Sequence, residues 1–254
     1  MRRSLLLAAL FGVALAGAAS AQEGEQTVRF RGYAYDLDNG KLLYVESHVQ
    51  NIRGDRWLGG TIDYYAPDGS QIGHKSLDFS LDPYVPLYQL DLKTGGGYME
   101  GVKSITADRI EMMKQGYGET KIRTESIRRR GAMVADSGFH SFLRDKFQQL
   151  VAGDAVSFVF VVSGHLDQFK FRATRLPDTT FEGKPAVRFR VEPDTLLRLL
   201  ADPLEVTYEP QQRKLVEYRG VSNLHDPKSH DPYKVRIVYP SVTPPDAPKL
   251  PDGA

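Results

Sequence analysis

The chain has 254 residues, of which 41% are hydrophobic and 26% are charged, and this composition excludes a disordered chain and a polytopic membrane protein. It contains no cysteine, which excludes disulfide bonds, thiol catalysis and cysteine-ligated metals. The formal net charge is +1, and such a balance argues against affinity for bulk nucleic acid.

The first 21 residues have the three parts of a secretory signal peptide. The segment begins with Arg2 and Arg3, continues with apolar residues 5–18, and ends in small residues up to Ala21. The apolar part spans roughly 21 Å as a helix, too short for a bilayer core of about 30 Å. We therefore expect cleavage before Gln22, export to a bacterial periplasm, and no transmembrane anchor afterwards.

Most of the remaining sequence alternates apolar and polar residues, which is typical of half-buried β-strands. Turn residues separate the strands, notably Asn39-Gly40 and Pro67-Asp68-Gly69. The pattern predicts strands at residues 27–35, 41–50, 57–66, 70–80, 86–92, 98–104, 108–114, 119–128, 155–162, 167–175, 184–192, 204–209, 213–221 and 233–239.

Two segments predict helices. Residues 137–151 place Phe139, Phe142 and Phe147 on one apolar face, with Ser137 or the preceding Asp as the cap and a glycine at the end. Residues 193–201 form a short second helix, which begins at a proline and is stopped by another.

The strand at 155–162 is apolar on both faces, which predicts that it is covered on both sides. We therefore expect a mainly β fold: one large curved antiparallel sheet or half-barrel, with two short helices, one of them packed against the concave face. Residues 22–239 form this single domain. Residues 240–254 are rich in proline and predict a flexible, extended tail that builds no core.

The best candidate for a ligand site lies where the first helix meets the following strand. Phe139, Phe142 and Phe147 of the helix and Phe158 and Phe160 of the strand offer a large aromatic surface for an apolar or amphipathic ligand. The alternative is that these side chains are core. Between the two, we expect Phe147 to face the core and Phe142 to lie nearer the mouth of a cavity.

Three polar groupings are assigned structural roles. His225 and His230, each followed by Asp-Pro, are interpreted as a polar hairpin loop, so no metal site and no cofactor is predicted. Glu46 and His48 share a strand face, which we interpret as the solvated side of that strand rather than an acid–base pair.

The third grouping is a basic cluster on two neighbouring strands. Pairing of residues 167–175 with 184–192 is expected to place Arg172 opposite Arg188 and Lys170 opposite Arg190. Glu205 and Glu209 of the next strand are expected to neutralise this cluster.

The sequence has none of the common hydrolase signatures, so no catalytic residue is assigned. We expect a soluble, non-enzymatic protein that binds or carries a lipidic or amphipathic small molecule. Two alternatives remain open: an envelope protein that holds a protein partner through a sheet edge or its tail, and a hydrolase whose site has no recognised motif.

Four segments, at residues 40–48, 136–142, 202–204 and 218–224, resemble a loose group of bacterial periplasmic β-rich proteins without an assigned activity. The overall plan also resembles the half-barrel of the lipoprotein-sorting carriers, a curved sheet with helices against its concave side. The resemblance implies a periplasmic β protein, and no site residue follows from it.

Overall fold

The structure, a computed structural model, describes residues 24–194 and 203–251. The described part is mainly β, with 59% of residues in strands, and confirms the predicted fold class: one large, open, curved sheet and two short helices. The fifteen strands are β1 Glu25–Asp36, β2 Leu42–Arg53, β3 Arg56–Tyr65, β4 Gln71–Asp78, β5 Leu87–Leu92, β6 Tyr98–Ile105, β7 Arg109–Gln115, β8 Arg123–Arg128, β9 Met133–Ala135, β10 Val156–Val162, β11 Asp167–Phe181, β12 Lys184–Pro193, β13 Leu204–Glu209, β14 Lys214–His225 and β15 Pro232–Val238.

The first and last strands, β1 and β15, lie side by side in the middle of the sheet. β1 pairs with β2 on one side and β15 on the other, and β8 and β9 form the two edges. Every described pairing is antiparallel except that of β9 with β10. All fourteen predicted strands are present, whereas β9, with only three residues, was missed because so short a segment shows no alternation.

The predicted turns have the expected backbone conformation. Gly40 follows Asn39 with φ at +70°, and Gly69 follows Asp68 with φ at +83°, a region that glycine enters without steric cost. Short turns of this kind join most consecutive strands, so that they become neighbours in the sheet; β8 and β9, at its two edges, are the exception.

The first predicted helix is present as two. α1 spans Gly138–Asp145 and α2 spans Phe147–Ala152, and Lys146 lies between them outside helical geometry. Gly153 ends α2 in a left-handed conformation, as expected. Ser137 precedes α1, but its side chain bonds to Asp136 instead of capping the helix. Of the predicted second helix, Pro193 ends β12, and residues 195–201 lie outside the described residues.

Both helices pack on the concave face against the second half of the sheet. Phe147 contacts Phe189 of β12 and Tyr208 of β13 edge-on. Phe158 of β10 belongs to this cluster, whereas Val161 of the same strand belongs to the core cluster on the other half. The prediction that this strand is covered on both sides is therefore confirmed.

The expected register of β11 and β12 is wrong. Arg172 faces Glu192, not Arg188, and the two form an ion pair at 3.0 Å. β11 extends to Phe181 through a bulge, so the connection is a tight turn at residues 182–183 rather than a long loop.

The expected neutralisation of the basic cluster is half right. Glu205 forms ion pairs with Arg190 at 3.0 Å and Arg188 at 3.8 Å, as predicted. Glu209 does not take part in this contact, because its carboxylate accepts the backbone N–H groups of Gln211 and Gln212.

One end of the curved sheet is closed by side chains from its loops. Tyr117 stacks on His230 at 3.9 Å between ring centroids, and its hydroxyl lies 3.1 Å from Nδ1 of His225. Tyr98 contacts the rings of His225 at 4.6 Å and Tyr117 at 5.3 Å between centroids. These contacts join β6, the β7–β8 turn and the β14–β15 turn, and hold the sheet in its curved shape.

Residues 240–251 have no helix or strand, as predicted, but they pack on the convex face. Ala247 and Leu250 pack against a buried cluster that contains Tyr33 and Val45, and Tyr35 donates a hydrogen bond to Asp246 at 3.1 Å. Ala247 and Leu250 are only partly buried, and they cover this cluster from outside. No helix in the described ranges is long and apolar enough to cross a membrane.

Candidate functional site

A cavity of about 590 Å³ lies on the concave face, between the centre of the sheet and α1. It forms because the helices cover the second half of the sheet and leave the central strands partly uncovered. Its apolar walls include Val28, Phe30, Ile52, Trp57, Phe139, Phe160, Leu204, Leu215 and Ile237. Its polar lining includes Glu46, His48, Lys75, Glu100, Asp136, His140 and Asn223.

Strand register places three of the polar residues in one row across the concave face. His48 pairs with Ile62, Ile62 with Lys75, Lys75 with Leu90, and Leu90 with Glu100. The row alternates polar and apolar side chains over five strands, each about 4.8 Å from the next. We call His48, Lys75 and Glu100 the polar row.

Lys75 is tied to the segment that precedes α1. Its Nζ donates to Oδ2 of Asp136 at 2.6 Å, and Asn223 of β14 donates to the same oxygen at 2.7 Å. Oδ1 of Asp136 accepts the backbone N–H and the hydroxyl of Ser137, each at 2.6 Å. Both oxygens of a buried carboxylate are thus satisfied, and the contacts join β4, β14 and α1.

The backbone conformation and the pKa of Asp136 both depend on its contacts with Lys75 and Ser137. Its φ of +42° is unusual for a residue with a side chain, and surrounding contacts must hold it there. Burial by itself raises the pKa of Asp136, but the charge of Lys75 and the hydrogen bonds bring that pKa below its ordinary value. Asp136 is therefore an anion that counters a buried lysine.

Glu46 and His48 are buried, with 7% and 6% of their surfaces exposed, so the prediction of a solvated strand face is wrong. Nε2 of His48 lies 2.9 Å from Oε2 of Glu46, and the Tyr239 hydroxyl donates to the same oxygen at 3.0 Å. The ring of His48 stacks on Phe30 with a centroid distance of 4.4 Å. Both side chains are buried because Phe30 and Tyr239 pack against them.

Glycine at position 32 makes room for this arrangement. A Cβ there would lie 2.6 Å from the ring of Tyr239 and 2.9 Å from Oε2 of Glu46, closer than real contacts allow. The pairing partner of Gly32 on β2 is Glu46 itself. The missing side chain on β1 therefore lets Tyr239 reach the carboxylate.

Glu100, at the far end of the polar row, is held by tyrosines. Tyr98 donates to its Oε2 at 2.6 Å, and Tyr88 lies 3.4 Å from Oε1. Burial raises the pKa of Glu100, against the lowering effect of the Tyr98 hydrogen bond and of Lys75 and Lys114. Glu100 faces Lys114 directly across β6 and β7, which supplies a counter-charge.

The second histidine of the cavity is neutral. His140 of α1 lies with Nδ1 3.0 Å from the Tyr208 hydroxyl and stacks on that ring. Burial and the nearby Arg144 lower the pKa of His140 to about 3. At neutral pH this imidazole carries no charge and adds a flat, weakly polar surface to the cavity wall.

The end of the cavity opposite the aromatic closure carries exposed lining residues. Arg144 at the end of α1 lies 3.7 Å from Asp55 in the β2–β3 turn, and Arg213 donates to the carbonyl of Arg144 at 3.4 Å. Gln212 and Lys214 lie exposed beside them. This end is polar and basic, whereas the walls farther in are mainly apolar.

The predicted ligand-binding phenylalanines divide into two groups. Phe139 and Phe160 line the cavity, and Phe139 belongs to the core cluster as well. Phe142, Phe147 and Phe158 lie in the core cluster beneath the helices. Phe142 is only 1% exposed and packs on Tyr84 and Phe158, so the expectation that it lies near a cavity mouth is wrong. Phe147 faces the core, as expected.

His225 and His230 lie in the aromatic closure of the sheet. Burial lowers the pKa of His225 to about 4, and Nε2 of His230 lies 3.1 Å from the carbonyl of Gly95. Over residues 24–194 and 203–251, no three histidine, aspartate or glutamate side chains are grouped so as to hold a metal ion.

Comparison of the chain with protein-family models, curated proteins and solved structures found no match. The resemblances noted from the sequence therefore gain no support from relatives.

Sequence reasoning missed Lys75, Glu100 and Asp136 as site residues. The signal for the first two is a charged residue in phase with apolar neighbours: Lys75 lies between Gly73 and Leu77, whose positions face the concave side. A charge at an inward position of a central strand indicates a buried ion pair or a site. No comparable signal marks Asp136, which is brought to Lys75 by the chain fold alone.

Proposed function

We propose that this protein binds an amphipathic small molecule in the cavity on the concave face of its sheet. The observation that carries the proposal is a cavity of about 590 Å³ whose walls combine large apolar side chains with a few buried polar groups. Binding sites for small molecules have volumes of about 300 to 1,000 Å³ and this mixed lining.

The two kinds of lining have separate roles. Phe30, Trp57, Phe139 and Phe160 gain from contact with an apolar chain, because each Å² of apolar surface removed from water is worth about 25 cal/mol. The polar row offers hydrogen-bonding groups that fix the orientation of the ligand. A gap left only by imperfect core packing would be lined by apolar side chains, since the desolvation of buried charges is costly.

We also propose that the protein acts in a periplasm, as its first 21 residues suggest; these lie outside the described residues. The periplasm is an aqueous compartment between two membranes, and a lipidic molecule in it is stabilised by an enclosed apolar binding site. N-terminal sequencing of the exported protein should begin at Gln22, and a species that retains residues 5–18 would contradict the proposal.

The binding proposal is tested with a fluorescent apolar probe and a variant that fills the cavity. Gln50 lines the cavity on the inward face of β2, so Gln50→Trp should reduce probe affinity at least about tenfold. The matched control is Val49→Trp on the opposite face of the same strand, which should leave probe affinity unchanged. Equal effects of the two substitutions, or no probe binding by the parent protein, would contradict the proposal.

A hydrolase is a second candidate because of the Glu46–His48 pair in the cavity wall. In that reaction His48, oriented by Glu46, takes a proton from water as the water attacks an acyl carbonyl, and the proton passes to the departing alcohol. Chromogenic acyl esters test this candidate: hydrolysis by the parent protein that is lost in His48→Phe would support it. Turnover that is unchanged in that variant would exclude it.

A further inference from the structure

The charged residues that line the cavity, among those the structure describes, are separated by sign between its buried and its exposed parts. Those with buried side chains are three acids and one base: Glu46, Glu100, Asp136 and Lys75. Those with exposed or half-buried side chains are four bases and one acid: Arg29, Arg144, Arg213, Lys214 and Asp55. An anionic group is therefore attracted to the rim of the cavity and repelled from its interior.

Arg144 lies at the polar end of the cavity with only a weak counter-charge. It follows His140 by one helical turn, so both residues lie on the face of α1 that lines the cavity. Its Nη1 donates to the backbone carbonyl of Asp55 at 3.3 Å. The carboxylate of Asp55 lies 3.7 Å from Nη2, and this side chain is 96% exposed, so water screens the attraction. The charge of Arg144 is thus largely uncompensated.

Arg213 brings a second guanidinium to the same place. It is half-buried, and its Nη1 donates to the carbonyl of Arg144 in the last turn of α1 at 3.4 Å. No carboxylate forms an ion pair with Arg213 in the part of the chain that the structure describes. A guanidinium has five N–H donors, and one bond to a carbonyl leaves the others for an anion.

The positive charge of Arg144 also acts on the wall of the cavity. Burial lowers the pKa of His140, and the charge of Arg144 lowers it further. Burial raises the pKa of Tyr208, whose ring stacks on His140, and the same charge opposes that rise. The field of Arg144 therefore extends into the protein at the cavity wall as well as into solvent.

We propose that the ligand is an amphiphile with an anionic head, a carboxylate or a phosphate, which accepts hydrogen bonds from Arg144 and Arg213 at the mouth of the cavity. Guanidinium groups bind both kinds of anion through paired N–H donors. The apolar chain extends inward along the apolar walls, since the buried acids disfavour the opposite orientation. This inference rests on the proposed binding function and specifies the head group that the site selects.

The test compares four amphiphiles that share a dodecyl chain and differ in the charge of the head: dodecanoate, dodecyl phosphate, dodecan-1-ol and dodecyltrimethylammonium. Displacement of a fluorescent apolar probe from the full chain at neutral pH gives the affinities. A cavity without cations would prefer the alcohol, because an anion is more costly to desolvate. We expect instead that one or both anions bind at least about tenfold more tightly than the alcohol, and that the cation binds most weakly. The tighter anion identifies the head group.

Removing a cation from the mouth should reduce this preference. In Arg144→Gln the anion-to-alcohol ratio of affinities should fall at least about fivefold, because a charged donor is lost. Arg53→Gln is the matched control, since Arg53 lies in the same end of β2, is exposed, pairs with Glu25 and does not line the cavity. The ratio should stay as in the parent protein in this control.

Removing the acid from the mouth should have the opposite effect. In Asp55→Asn the anions should bind about two- to threefold more tightly and the alcohol as before, because the competing carboxylate is gone. The side chain of Asp55 is exposed, so this variant keeps the fold and decides the question even if Arg144→Gln does not fold. Asp38→Asn, in the exposed turn at the other end of β2, is the matched control and should change neither affinity.

The outcomes separate this inference from the function beneath it. Equal or tighter binding of the alcohol or the cation by the parent protein would overturn the anionic head and leave the binding function intact. An anion preference that Asp55→Asn does not raise above its Asp38→Asn control would overturn the assignment of the head to this mouth. Failure of the probe and all four amphiphiles to bind would overturn both the inference and the proposed function.

Discussion

At the scale of residues, the concave face is unusual for the number of charged groups that it buries. Lys75 and Asp136 form a buried ion pair that joins the sheet to the start of α1. A pair of this kind contributes little net stability, because desolvation offsets the attraction. Removing one partner is different, since it leaves an uncompensated buried charge.

Lys75→Met should therefore lower the free energy of unfolding by about 3 to 5 kcal/mol. The double variant Lys75→Met/Asp136→Asn should recover part of that loss, because the orphaned carboxylate is gone. Denaturant unfolding measures both. Lys103→Met, which removes a surface partner of Glu111, should cost at most about 1 kcal/mol. A Lys75→Met loss no larger than this control would contradict the assignment.

His140 should make stability depend on pH below neutrality. Its pKa is lowered to about 3 in the fold from 6.5 in the unfolded chain, so protons bind preferentially to the unfolded state as the pH falls through this window. Between pH 7 and pH 4.5 this should remove roughly 1 to 2.5 kcal/mol, less than the full shift allows because this window ends above the pKa of the folded state. His140→Phe should flatten this part of the profile, and equal slopes for the two proteins would contradict the assignment.

At the scale of elements, the sequence predicted the strands and helices that follow from local hydrophobic periodicity. Fourteen strands and the helical character of residues 137–151 follow from alternation and from the spacing of the phenylalanines. The register of β11 and β12 could not be predicted, because a bulge between Leu176 and Thr179 shifts the pairing without a clear sequence signal. The break at Lys146 likewise has no proline or glycine to mark it.

The two phenylalanine groups should differ in their effect on stability. Phe142, at 1% exposure, fills the core under α1, so Phe142→Ala should cost about 3 to 5 kcal/mol of unfolding free energy. Phe160 is only partly buried and lines the cavity, so Phe160→Ala should cost clearly less and should weaken probe binding. Denaturant unfolding and probe titration check both. Equal destabilisation by the two substitutions would contradict the division into core and cavity wall.

At the scale of the whole molecule, the site is a consequence of how the sheet curves. His48, Lys75 and Glu100 belong to three different strands and lie in one row because those strands pair in register, and Asp136 contacts Lys75 from outside the sheet. Glu46 and His48 look like a solvated strand face in sequence, since only the curved sheet and Tyr239 bury them. The candidate site therefore could not be read from local patterns.

The central claim is that the cavity holds a small amphipathic molecule, and native mass spectrometry of the exported protein tests it most directly. We expect a population heavier than the bare chain by one small molecule, which collisional activation releases as a neutral species of low mass. The same preparation of Gln50→Trp should lack this population, and Val49→Trp should retain it. Only the bare-chain mass in the parent protein, together with no uptake of an added apolar probe, would contradict the claim.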